Sequence, residues 1–300
     1  MSTIWNRINT LLLLLVLAAV IGGFATRAWG GALDPPAAPG PTQPQVEPRS
    51  PIPPVGWNGT FPITISQPGS YFLTRNLTNA TSSDGIDITT HDVSLDLNGF
   101  TLTGFGGGSG IRAGSPGARG ISVRNGAVEL WSTGVDLSQS AGAVADSLRV
   151  TDDGQVGLNM GAGGLAHDIT AQRDNIGIEV SDPASTFGGG LIDGCVATKN
   201  NWGVYLLANN VTVKSCDLDS NTQSGLQVAQ SFFFDTITDN TAQGDPIGVH
   251  LEAGTSGNTV VRNVFALNTT AAVADTGSPN NRVGPIATVS TAGPWDNIGG

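Results

Sequence analysis

A glycine followed by an aliphatic residue returns along most of this chain at a nearly fixed interval. It occurs at Gly85–Ile86, Gly110–Ile111, Gly134–Val135, Gly157–Leu158, Gly177–Ile178, Gly203–Val204, Gly225–Leu226 and Gly248–Val249, in steps of 20 to 26 residues. A degenerate ninth copy falls at Ala272–Val273. Each copy opens an aliphatic–polar–aliphatic triplet, and a second strand-length piece follows in every unit, as in "VSLDLNGFTL", "DSLRVTD" and "VTVKSCDLDSN". No helical period runs through the units. A coil of about 23 residues built from short strands cannot bury its own apolar face, but stacking covers it from above and below. The fold this implies is all-β: a single-stranded parallel β-helix, a solenoid of about nine coils over residues 85–273.

Composition agrees. Glycine stands at 42 of 300 residues, charged residues make up only 12%, and Lys199 and Lys214 are the only lysines. Such a chain is rich in turns that need positive φ and too poor in charge for a disordered tail. The formal charge is −11. A surface this acidic repels phosphate backbones, so nucleic acid is excluded as a partner.

Residues 1–30 read as a signal peptide: Arg7, an apolar run from Leu11 to Ala25, then Ala28–Trp29–Gly30. The run is short of the ~20 residues of a spanning helix. Export is therefore expected, to the periplasm, the cell surface or the medium, and a membrane is met only if this segment stays uncleaved. Removing it takes away Arg7 and Arg27 and no acid, which leaves the rest more acidic still. Residues 31–54 form a Pro-rich linker, with nine of the seventeen prolines between Leu33 and Pro54. Residues 55–84 are expected to provide a cap with a hairpin near 58–78, and residues 274–300 a second cap with Trp295 as its lid.

Strand alternation assigns the sides. Pairs such as Ile86/Ile88, Ile178/Val180 and Val204/Leu206 point inward, and the residues between them form an outward column: Asp87, Arg112, Asp136, Asn159, Glu179, Tyr205, Gln227 and His250. Asn200, Asn221, Asn240 and Asn268, with Asp174 before them, are expected to form a structural ladder of turn side chains. Cys195 and Cys216, the only cysteines, share one slot in neighbouring coils. They are expected as stacked buried thiols, with a disulfide as the alternative.

The stretches "ITISQPGSYFLTRNLT", "GIDITTHDVSLDLNGFTLTG" and "NRVGPI…PW" resemble secreted right-handed parallel β-helix repeat proteins of the pectin-lyase-like superfamily, over roughly residues 58–298. The resemblance implies the handedness and the caps. It also implies that any active site lies on the exterior of the first strand of each coil, where the column runs. It does not fix an activity. The clustered aspartates of a calcium-dependent pectate lyase and the Gly–His–Gly of a polygalacturonase are both missing. His91, His167 and His250 lack metal-ligand spacing, so no metal and no cofactor are expected.

Three roles fit. The first is a non-catalytic module binding extracellular glycans or partner proteins, with Asn159, Tyr205, Trp202, Trp131 and His250 as ligand-binding residues. The second is a carbohydrate-active enzyme, a lyase, hydrolase or epimerase, using Asp136 and Glu179 with Arg112 to hold the sugar. Two coils separate those carboxylates, about 10 Å by strand spacing, close to the ~6.5–9.5 Å of inverting glycosidases. The third is a structural component of the envelope.

Overall fold

The computed structural model describes residues 49–115, 118–182, 188–288 and 293–299. The expected signal peptide and residues 31–48 of the Pro-rich linker lie outside the described residues. Everything described belongs to the unit from Pro48 to Gly300. Among the described residues all regular structure is β, and every strand pair is parallel.

One sheet carries the Gly–aliphatic strands. It runs through ten strands, from Ile63–Ile65 and Ile86–Ile88 to Ala271–Asp275. A second face begins with Ser50–Ile52 and Gly69–Leu73 and ends with Arg282–Val283, while shorter strands such as Thr170–Gln172 and Val196–Thr198 form a third. The described residues thus form an all-β parallel solenoid of about ten coils, one more than the glycine count implied.

The extra coil comes from the segment expected as a hairpin. Ile63–Ile65 pairs with Ile86–Ile88, Gly69–Leu73 with Val93–Asp96, and Leu77–Thr78 with Thr101–Thr103, all in parallel. Alternation across "FPITISQPGSYFL" is the same for either strand direction, which is why it read as a hairpin. Ser50–Ile52, expected within the linker, adds one further parallel strand beside Tyr71–Leu73. At the other end Trp295 is 65% exposed and is no lid. Asn297 closes that end instead: it is fully buried, accepts the Asn263 amide (3.0 Å) and donates to the Val260 carbonyl (3.1 Å).

The repeated glycine is required by the distance between coils. A Cβ on Gly203 would lie 2.5 Å from the Gly225 carbonyl oxygen and 2.9 Å from Asn221 Nδ2; on Gly177 it would lie 2.8 Å from the Gly203 oxygen and 2.6 Å from Asn200 Nδ2. Only a residue without a side chain fits. The aliphatics beside each glycine then fill the interior, with Ile86, Ile88, Ile178, Val204, Leu206 and Leu226 all fully buried. Each such side chain contributes about 1.5–3 kcal/mol.

Polar turns bury backbone that a ladder of side chains satisfies. Asp153 accepts the Trp131 amide, Asp174 that of Asp153, Asn200 that of Asp174, Asn221 that of Asn200, and Asp245 that of Asn221, at 2.6–3.0 Å. Asn268 continues it at 3.1 Å. Asn240, expected in this ladder, belongs to another: it accepts the Cys216 amide and gives its own to Asn263. Counting five residues onward from Asp235 misplaced it, because Asp235 itself receives the Val211 amide in a third ladder with Asn258. Cys195 and Cys216 are buried free thiols in neighbouring coils, each just before the bridged pair Val196 and Asp217.

Four ladder members are acids. Burial raises Asp153 to about 9, Asp174 to about 8, and Asp235 and Asp245 to about 7. The second oxygen of each is buried without a hydrogen-bond partner. At Gly134 and Gly157 the Oδ2 atoms of Asp153 and Asp174 occupy the place that asparagine Nδ2 takes at Gly177 and Gly203. Asparagine donates from that place, as Asn200 does to the Ala171 carbonyl (3.2 Å). A proton on Oδ2 makes the aspartate an equivalent donor.

Two outcomes follow for stability. Gly203→Ala should lower it by about 1–3 kcal/mol in denaturant unfolding, the ordinary cost of overpacking, whereas Gly154→Ala, with no atom closer than 3.7 Å to the new methyl, should leave it unchanged. For the ladder, a folded pKa raised above the unfolded value gives stability that is complete below about pH 4 and lost as pH rises through about 8. Asp174→Asn should match wild type near pH 4, gain on it by up to about 1.4 kcal/mol per pH unit from there to about pH 8, and gain no more above that. Parallel stability curves for the two proteins would contradict the protonated ladder.

Candidate functional site

The column forms in the register that the strand period dictates, but Gln227 within it is buried and not outward-facing. Register pairs Asp87 with Arg112, Arg112 with Asp136, Asp136 with Asn159, Asn159 with Glu179, Glu179 with Tyr205, Tyr205 with Gln227 and Gln227 with His250. Ala274 ends it. Being collinear does not make the column one site, and its two halves differ.

In the first half Arg112 turns back toward the start of the chain. Its Nη1 lies 3.4 Å from Asp84 Oδ2, and its charge also lowers the pKa of Asp87, which burial raises overall. Two strands, those of Asp136 and Asn159, lie between it and Glu179. The structure therefore places Arg112 beside Asp136 in register, with its guanidinium at Asp84, and does not bring it to Glu179. Asp136 accepts both the hydroxyl (2.6 Å) and the amide (3.1 Å) of Ser138, which ties one of its oxygens into the turn.

The second half is a connected polar and aromatic strip. Ser181 Oγ donates to Asn159 Oδ1 (2.9 Å), and the Asn159 amide donates to Glu179. Burial raises the pKa of Glu179, the Asp136 charge adds to the rise, and the Asn159 bond opposes it. Tyr205 lies beside Glu179, its phenol pushed up by burial and then by the charges of Glu252 and Glu179. The Trp202 and Tyr205 rings lie 5.9 Å apart at 35°. Trp202 Nε1 donates to Gln227 Oε1 (2.8 Å), Gln227 Nε2 donates to Glu252, and Glu252 also accepts the Gln230 amide (2.9 Å). His250 is half-buried next to Gln227.

Glu252 and the bridging role of Gln227 were missed in the sequence. Glu252 lies one residue beyond Leu251, where its strand ends, so alternation says nothing about its direction. Trp131 is a correction of the opposite kind. It is fully buried and bonded through Nε1 to the Leu102 carbonyl (3.2 Å), so it presents nothing to a ligand. Gly85, Gly104 and Gly110 leave the room its indole fills. Asp152 and Asp153, adjacent in the chain, do different work: Asp152 pairs with Arg173 (2.6 Å) while Asp153 joins the ladder.

The architecture and this exterior strip define a right-handed parallel β-helix of the pectate-lyase type. Pectate lyase Pel9A superposes with a TM-score of 0.58 at 16% identity, covering 76% of this chain and 68% of that one. The A-module of the Azotobacter vinelandii mannuronan C-5 epimerase AlgE4 is more distant, with a TM-score of 0.44 at 14% identity over 78% of this chain and 91% of that one. These likenesses concern the fold alone. No curated protein matches the sequence. Residues 87–283 match the family described as periplasmic copper-binding protein (NosD), and the chain belongs to that family.

Copper favours thiolate, thioether and imidazole ligands. Here the Cys195 and Cys216 thiols are buried against backbone carbonyls, and Met160 lies in the aliphatic stack. His91 and His167 pair with Asp92 and Asp146, each at 2.8 Å, and His250 stands on another sheet. Among the described residues no three of His, Cys, Asp and Glu converge. These residues do not fit a resident copper centre.

Carboxyl-selective NMR should place the Glu179 midpoint above the ordinary glutamate value of about 4.3. Asp136→Asn should bring it partway down, since burial is the larger cause. A midpoint unmoved by that substitution would show that the two carboxylates do not interact.

Proposed function

We propose that this chain is a periplasmic β-helix module that binds a polysaccharide along the exterior of its first sheet without chemically altering it. The observation that carries this reading is the Trp202–Tyr205 pair, set in a row of fixed amides and acids. Aromatic faces take the apolar faces of sugar rings, and hydroxyls of the sugar are met by Asn159, Glu179 and Glu252. The network already holds these groups in place, with Glu252 bonded to Gln227 and to the Gln230 amide, so little side-chain order is lost on binding. The periplasmic location rests on the family description and the signal-like N-terminus. Copper binding, the property in that description, is not carried over, because the donor set does not support it.

A carbohydrate-active enzyme is the second reading, and Glu179 favours it. A carboxyl group with a raised pKa beside a second carboxylate is how general acids of glycoside hydrolysis are tuned, and Asp136 stands two coils away.

A panel of neutral and acidic polysaccharides separates the readings when scored for retention and for new reducing ends or unsaturated products. The binding reading expects retention without product, and a loss of about tenfold or more in affinity for Trp202→Ala, the worth of one stacking contact. Product formation that Glu179→Gln abolishes would establish the enzyme instead.

A further inference from the structure

Where the chain passes from the first sheet to the second, successive coils place one residue in register: Gly163, Gly189, Asn210, Phe234 and Gly257. All five have left-handed backbone, with φ of 70°, 65°, 60°, 67° and 73°. Glycine and asparagine accept that conformation readily; a phenylalanine does so only against its intrinsic preference. Nor does Phe234 recover the cost by burial, being 57% exposed. Its ring lies across the next coil at Gly257, where a Cβ would meet ring carbons at 2.6 and 2.7 Å. The missing side chain in one coil thus seats the aromatic ring of the other.

Beside this ring is an open hollow of about 650 Å³, lined also by Ser256, Asn280 and Arg282. Arg282 is exposed on the strand Arg282–Val283. Among the described residues it has no acidic partner, as Arg75 and Arg119 have none, whereas Arg112, Arg124, Arg149, Arg173 and Arg262 each have one. An unpaired guanidinium in so acidic a chain, next to an exposed aromatic face, matches a ligand with a flat apolar side and one negative group.

We propose that this hollow binds a sugar ring bearing an anionic substituent, with the ring on Phe234, the anion on Arg282 and hydroxyls on Asn280 and Ser256. The proposal extends the glycan-binding reading to a second contact built from residues which that reading does not use. A carboxylate and a sulfate share the required chemistry, and the test takes both.

The ¹⁵N-labelled full chain is titrated with sodium glucuronate, glucose 6-sulfate and glucose. The amides of Gly257 and Arg282 should shift with either or both anionic sugars, and glucose should bind about tenfold or more weakly. Phe234→Asn, which suits the left-handed backbone, should keep or raise the melting temperature and abolish these shifts. Arg282→Gln should reduce the anionic sugars to the level of glucose. Equal binding of all three sugars, no shift with any, or full binding by the Phe234→Asn protein would overturn the proposal. Trp202→Ala should leave the shifts intact even where it abolishes polysaccharide retention, so the two sites stand or fall separately. Loss of the shifts in that variant would show that the hollow is not a site of its own.

Discussion

Coil-to-coil spacing governs this molecule. Parallel strands of successive coils lie about 4.8 Å apart, and at each first-strand glycine the next coil's carbonyl oxygen occupies the volume a side chain would need. That one contact explains the repeat. It also brings buried turn backbone within reach of the coil above, so each amide finds a side-chain oxygen there, as the Asn200 amide finds Asn221. The glycine column and the Asx ladder are two results of the same close approach: Gly177 and Gly203 are empty because Asn200 and Asn221 need the room.

This arrangement changes how the acidity should be read. A formal charge of −11 counts every carboxyl as ionised. Asp153 and Asp174, with values of about 9 and about 8, keep their protons at neutral pH, and Asp235 and Asp245 titrate near it. The charge that a ligand meets is therefore less negative than the composition implies. Those acids belong to the interior hydrogen-bonding system. Asp136, Glu179 and Glu252 lie outside it, and Glu179 combines a raised pKa with an aromatic neighbour.

What the sequence disclosed follows from which distances it fixes. Glycine marks the phase of the first strand in every coil, and alternation then gives inward and outward positions; the column from Asp87 to His250 needed nothing else. Beyond that strand, coils differ in length, and each insertion shifts the count. Asn240 was placed a ladder away from its true position for that reason, and Asp245 was passed over. Trp131 sits three residues before its glycine, near a corner by count, yet the space vacated by Gly85, Gly104 and Gly110 admits it to the core. Strand direction near Ile63 was not legible because alternation is blind to it. Glu252 escaped because it follows the last strand residue of its coil.

A repeat also supplies its own standard of comparison. Outward positions of the column carry no demand from the fold, so a glutamate at 179 or a tyrosine at 205 agrees with any function or none; their significance comes only from the neighbours that the register gives them. A slot with a strict demand is more informative when it is broken. The left-handed corner asks for glycine or asparagine, and neighbouring coils supply them. Phe234 meets that demand at a cost, gains little burial, and lies where the following coil has an empty Gly257 and an unpaired Arg282 nearby. Folding alone would favour a smaller residue there, so a reason for the aromatic ring has to be sought in what the ring touches from outside.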